Sequence, residues 1–162
     1  MDTERLYARE ITTEDLDALY EIYSYPEITR YMENLYEDRE KEEEFTRNYI
    51  KCMYQFYGYG IWVVCLKEND RIIGRAGISN RTIDGELSLE IGYLIDVRYQ
   101  NQGYASEIVD EILRFAKERL YIDEIRCAVT HENWVSVHLA EKFGFEYEFE
   151  TGEFIFYKKK LG

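Results

Sequence analysis

Apolar positions along the chain change period several times, and each change marks a new element. Glu4 to Ile11 reads as a strand. Thr12 or Thr13 then supplies a helix cap, and Leu16, Leu19, Tyr20 and Tyr23 fall at i, i+3, i+4 and i+7 of a helix that Pro26 ends. A second helix is expected over Asp38 to Phe56. Phe45, Tyr49, Cys52, Met53 and Phe56 form its stripe, and the run Glu40 to Glu44 its solvated face. The middle of the chain is β-rich. Ile61 to Leu66 is a continuous apolar run, Asn69-Asp70 predicts a hairpin into Arg71 to Ser79, and Asp84-Gly85 a second turn into Glu86 to Ile95. These three strands read as an antiparallel meander. The helical period returns from Gly103 to Leu120, with Ala105, Ile108, Val109, Ile112, Leu113, Ala116 and Leu120 on one face. Ile125 to Val129 is a short strand, Asn133 to Phe143 a helix closed by Gly144, and Phe145 to Phe149 with Glu153 to Lys158 a final strand pair. The order β-α-α-β-β-β-α-β-α-β-β predicts one α/β (α+β) domain over residues 1–162. Its central sheet is mixed and mostly antiparallel, of about seven strands, with about four helices on its faces.

Composition narrows the class. The 162 residues are 46% apolar and 16% aromatic, which excludes a disordered chain. Thirty-three acidic against twenty basic residues give a net charge of −13, which speaks against nucleic acid or an anionic membrane as partner. The longest apolar run, Ile61 to Leu66, is far below the ~20 residues of a membrane span, and Met1 to Arg5 does not resemble a signal peptide. Three cysteines without metal-ligand spacing suit a reduced, cytoplasmic protein with no metal site. The oligomeric state leaves no mark in the sequence.

The candidate chemistry lies between Ile91 and Ser106, where a strand runs through a short polar loop into an amphipathic helix. The first turn of a helix carries amides without intrahelical partners and the positive end of the macrodipole. With Gly103 allowing close approach, the turn forms an anion site or else an ordinary strand-to-helix connection. It is not a P-loop, and Gly58-Tyr59-Gly60 is not a dinucleotide fingerprint, because it lacks a third glycine and precedes a strand. His131 and His138 have no nucleophilic partner in pattern, and no serine or cysteine hydrolase motif is present.

Gln100-x-x-Gly103-x-Ala105 resembles the Gln/Arg-x-x-Gly-x-Gly/Ala signature of the GNAT superfamily of N-acetyltransferases. Asn133-x-x-Ser136 with Glu141-Lys142-Phe143-Gly144-Phe145 is similar to a segment of its branch containing the ribosomal-protein N-terminal acetyltransferases. The resemblance covers essentially the whole chain and implies acetyl-CoA as cosubstrate. By it, the backbone of Tyr93, Leu94 and Ile95 would hold the pantetheine arm, and the amides of Asn101, Gln102, Gly103, Tyr104, Ala105 and Ser106 the pyrophosphate. Asn133, equally suited to cap a helix, would contact the pantetheine end, and an N–H near Ile95 would polarise the thioester carbonyl. There are two departures from the pattern. Gln102 stands where a basic residue is common, leaving Arg98, Arg114 or Lys142 as helpers. Ala140 stands where many members carry a tyrosine acid, so Ser136 or water would protonate the thiolate.

An amine must be neutral to attack, and the resemblance implies Glu90, which stands just before Ile91-Gly92-Tyr93 as a Glu often does in that branch, as the first candidate for the base. Strand alternation puts Glu86, Ser88, Glu90 and Gly92 on one face; the competing reading of Glu90 is a solvent-facing carboxylate. The function implied is acetyl transfer to a primary amine, a protein N-terminus or a small cation, by direct attack in a ternary complex. The acidic surface makes a cationic acceptor the expectation. The alternative is a non-catalytic CoA-binding or protein-interaction module of the same fold.

Overall fold

The computed structural model describes residues 1–162. Seven strands form one sheet in the order β1-β2-β3-β4-β5-β7-β6. They are β1 Leu6–Arg9, β2 Ile61–Leu66, β3 Ile72–Ile83, β4 Glu86–Ile95, β5 Glu124–Thr130, β6 Glu146–Thr151 and β7 Phe154–Lys160. Every neighbouring pair is antiparallel except β4 with β5. Both turn signals act as expected. Asp70, and Asp84 with Gly85, take φ of 60°, 51° and 83°, a region that Asp and Gly tolerate in tight hairpins.

Five α-helices accompany the sheet: α1 Leu16–Tyr23, α2 Pro26–Thr29, α3 Arg39–Tyr49, α4 Tyr104–Glu118 and α5 Trp134–Lys142. Two expectations are corrected here. Pro26 does not simply stop a helix. Its missing N–H and fixed φ suit a first helical position, and it opens the one-turn α2. The stripe expected on the second helix holds only in part: Tyr49 and Met53 pack against the core, but Phe45 is 51% exposed, Phe56 77%, and Cys52 lies outside it, whereas Glu42, Thr46 and Tyr54 are buried. After Tyr49 the backbone widens into a π-helical stretch, Ile50–Gln55, so spacings drawn at 3.6 residues per turn lose their face. The Glu40 to Glu44 run is solvated except at Glu42, whose carboxylate accepts from the Tyr36 amide at 2.9 Å.

The core follows from covering the sheet on both faces. Helix α1 packs on β3 from one side, while α4 packs on β3 and β4 from the other, with Trp62 edge-on to Phe115. Strand β2 is accordingly buried on both faces, as its unbroken apolar run requires, and Val63, Val64, Ile73, Ile78, Ile108, Ile112 and Ile125 lose all exposure.

Candidate active site at the split between β4 and β5

The parallel strands β4 and β5 pair at one position, Glu90 with Arg126. Beyond that pair the ladder ends. Ile91, Gly92, Tyr93 and Leu94 on one strand and Cys127, Ala128, Val129 and Thr130 on the other line a cavity of about 260 Å³. Strand β4 remains bonded to β3 on its far side, so the polar groups it turns toward β5 are left for a ligand to satisfy.

The loop leaving β4 is pinned from within. Asp96, fully buried, accepts from the Arg98 amide at 2.9 Å and from the Arg98 guanidinium at 2.5–3.0 Å, which holds its carboxyl below the usual range against the cost of burial. Gln100 Nε2 donates to the Ile95 carbonyl at 2.8 Å. Asn101 and Gly103 then take left-handed φ of 59° and 85°, turning the chain so that the first amides of α4 head the turn.

Two cations stand at that turn. Arg5 Nη1 donates to the Gln102 carbonyl at 2.9 Å, its Nε pairs with Glu107 at 2.7 Å, and the guanidinium stacks on Tyr104 at 4.3 Å. A Cβ on Gly103 would lie 3.3 Å from Arg5 Nη2. Lys142 Nζ donates to Ser106 Oγ at 2.9 Å. Of the three expected helpers only Lys142 reaches the turn: Arg98 is bound to Asp96 and Glu21, and Arg114 to Glu111. Arg5 stands beside Gln102 at the turn although Glu107 pairs with it. No motif pointed to it, because it arrives from the other end of the chain.

Helix α5 brings Asn133 and Ser136 to the cavity. Asn133 Oδ1 caps the helix, accepting from the Ser136 amide at 3.3 Å. The Tyr93 hydroxyl donates to Ser136 Oγ at 3.1 Å, and burial pushes the Tyr93 phenol up, so it keeps its proton near neutrality. Sequence reasoning assigned Tyr93 a backbone role only. Cys127 also lines the cavity, but burial pushes its thiol up to about 12, which makes it a poor nucleophile.

The opposite face of the sheet closes the cavity with Tyr23, Tyr31, Met32, Ile61 and Arg75. Tyr31 Oη donates to the Glu132 carbonyl at 3.3 Å and Arg30 pairs with Glu132 at 3.2 Å, tying the chain after α2 to the loop before α5. The π-helical stretch aims Tyr54 at β2. Tyr54 donates to the Ile61 carbonyl, while the Ile61 amide donates to Tyr49 Oη at 2.7 Å. Glu90 is 6% exposed rather than solvent-facing, accepts from Arg81 Nε, and adjoins the lining segment without being part of it. No carboxylate lines the cavity, and His131 and His138 lie outside it.

A seven-stranded sheet opened between two parallel strands, with a cation-flanked helix N-terminus at the mouth, defines a class of CoA-dependent acyltransferases. Residues 5–146 match the family model described as the acetyltransferase (GNAT) domain, and the chain belongs to this family. It is an N-acetyltransferase. The chain is 31% identical over 150 residues to the uncharacterized N-acetyltransferase p20 of Bacillus licheniformis, covering 90% of this chain and 82% of the relative. Among solved structures it resembles the ribosomal-protein-S5-alanine acetyltransferase of Vibrio fischeri (TM-score 0.76, 20% identity, 99% and 96% covered). It also resembles a chimera of the spermidine N-acetyltransferase SpeG from Vibrio cholerae (TM-score 0.77, 22% identity, 98% and 96% covered). At these identities the structural likenesses concern the fold. No helix is long and apolar enough to cross a membrane.

Proposed function

We propose that the protein transfers the acetyl group of acetyl-CoA to a primary amine by direct attack within a ternary complex. The observation that carries this reading is the β4–β5 split leading onto the α4 turn. The residues fit the cosubstrate. Amides of Asn101 to Ser106 would hold the pyrophosphate between Arg5 and Lys142, the free edge of Tyr93, Leu94 and Ile95 would hold the pantetheine, and Asn133 would stand at its thioester end.

Chemistry then needs two proton movements. The amine nitrogen attacks the thioester carbonyl, a C–N bond forms, the C–S bond breaks, and the leaving sulfur takes a proton. Ser136 is our proton donor, with Tyr93 refilling it along the hydrogen bond at 3.1 Å. A thiolate is an undemanding leaving group, so this relay assists rather than decides the rate. The base is assigned to Glu90, the buried carboxylate adjoining the lining segment; its pair with Arg81 must exchange for the proton to pass. An unchanged pH profile in Glu90→Gln would remove that assignment.

A cationic acceptor is favoured by the long-range field of a −13 chain. The acidic Glu37 to Glu44 segment contributes no side chain to the cavity, so this preference acts on approach rather than at contact. The test of acetyl transfer is thiol release from acetyl-CoA with a panel of primary amines that includes spermidine, N-terminal peptides and amino acids, with the product identified by mass. Release that depends on the amine, with a gain of one acetyl, is the expected result. Acetyl-CoA binding without turnover of any amine would leave only a binding module.

A further inference from the structure

The cavity has 21 lining residues, and Arg75 is the one charged side chain among them. In a protein with thirty-three carboxylates it makes no ion pair, and its buried Nε has no hydrogen-bond partner within the protein. One other buried side-chain atom is orphaned in this way, Thr130 Oγ1, and it lines the same cavity. Buried polar groups without partners are rare in folded proteins, and two in one cavity mark where a ligand's polar atoms go.

Register places them together. Arg75 stands opposite Leu94, and four residues beyond the Glu90–Arg126 pair on each strand bring Thr130 level with Leu94. Arg75 shares a face with its pair Leu94, and alternation along β4 and β5 from the Glu90–Arg126 pair puts Thr130 on that face too, so both side chains leave the sheet on the side of α1, on either side of β4. Leu94 stands level with both, and two residues back on the same face Gly92 leaves room, since an added Cβ there would meet nothing nearer than Ile61 Cδ1 at 3.9 Å. Beside Arg75, the Tyr49 and Tyr54 phenols are pushed up by burial, Tyr54 to about 12, with the guanidinium opposing the shift; they stay neutral and leave its charge uncompensated.

We propose that the acceptor is a small primary amine that also carries a carboxylate, an amino-acid-like molecule whose carboxylate pairs with Arg75 and whose amine hydrogen-bonds Thr130. This rests on the acetyl-transfer reading above and names its substrate class. Such a molecule is a zwitterion without net charge, so the long-range field that favours a cation does not select it; the Arg75 guanidinium does so at contact, with the bidentate geometry that Arg favours.

The test compares the L-amino acids with their amides as acceptors in the whole protein, for wild type, Arg75→Gln, Arg75→Lys and Thr130→Val. At least one acid–amide pair should favour the acid more than tenfold in kcat/KM. Arg75→Gln should bring that ratio near one, Arg75→Lys should keep part of it, and Thr130→Val should lower both members alike. Comparing ratios between variants cancels the different basicities of acid and amide. Acetyl-CoA's thermal shift should be equal in wild type and Arg75→Gln, which shows that the variant is folded. Turnover of spermidine or peptides with no amino acid accepted would overturn this inference while leaving acetyl transfer intact; turnover of no amine would overturn both. An acid–amide ratio unchanged in Arg75→Gln also overturns it.

Discussion

The two sides of the cleft are built by different means. The proposed cofactor side is backbone: a β4 edge without a ladder partner and the turn that opens α4, flanked by Arg5 and Lys142. The proposed acceptor side is side chain: Tyr23 from α1, Tyr31 and Met32 from the chain after α2, and Arg75 from β3. Backbone is the same whatever the residue, so one cofactor can be kept while the acceptor wall varies. That contrast predicts where substitutions should separate binding from specificity.

The strongest perturbation is of the loop that joins the two sides. Asp96→Ala leaves Arg98 without its buried partner and frees the approach to the turn. Arg98 is partly exposed and keeps Glu21, so unfolding in denaturant should show a loss of about 3 kcal/mol, from the lost charged hydrogen bonds. A loss below 1 kcal/mol would mean that the pair does not organise the loop. Next is Gly103→Glu, which puts bulk and negative charge where φ is 85°. Acetyl-CoA at a hundred times its Kd should stabilise the wild type by about 2.7 kcal/mol and leave this variant unshifted. Arg75→Gln should keep the shift in full, which is the sharpest form of the contrast.

The smallest effect lies away from both sides, on the strands beyond β5. Arg126 and Lys158 hold the Glu148 carboxyl at about 2, below its value of about 4.3 in an unfolded chain. Its folded pKa is depressed, so its stabilisation is present above the unfolded value and is lost as pH falls toward 2. Glu148 and its partners are partly exposed, so Glu148→Gln should cost about 1 kcal/mol at pH 7. The gap to wild type should close between pH 5 and 2, followed by thermal denaturation. Acetyl-CoA binding should not change.

The same contrast explains what the sequence disclosed. The succession of elements along the chain, the hairpin turns and the Gly103 turn are local, each written in a few adjacent residues, and stand where periodicity and motif placed them. The acceptor wall depends on contacts far apart in the chain. Arg75 reads in sequence as one more polar strand residue; only the register of three strands brings it level with Thr130. Arg5 reaches the turn across 97 residues to Gln102. Past Tyr49 the expected stripe departs for a local reason that periodicity could not reveal, the change of pitch that buries Tyr54 and exposes Phe56.

The division of the cleft is tested most directly by amide hydrogen exchange on the whole protein, with and without acetyl-CoA. Slowed exchange is expected at Asn101 to Ser106 and along Ile91 to Ile95, with Tyr31 and Met32 unchanged until an amine acceptor is added. Protection at Tyr31 and Met32 by acetyl-CoA alone, or none at the turn and the β4 edge, would contradict it.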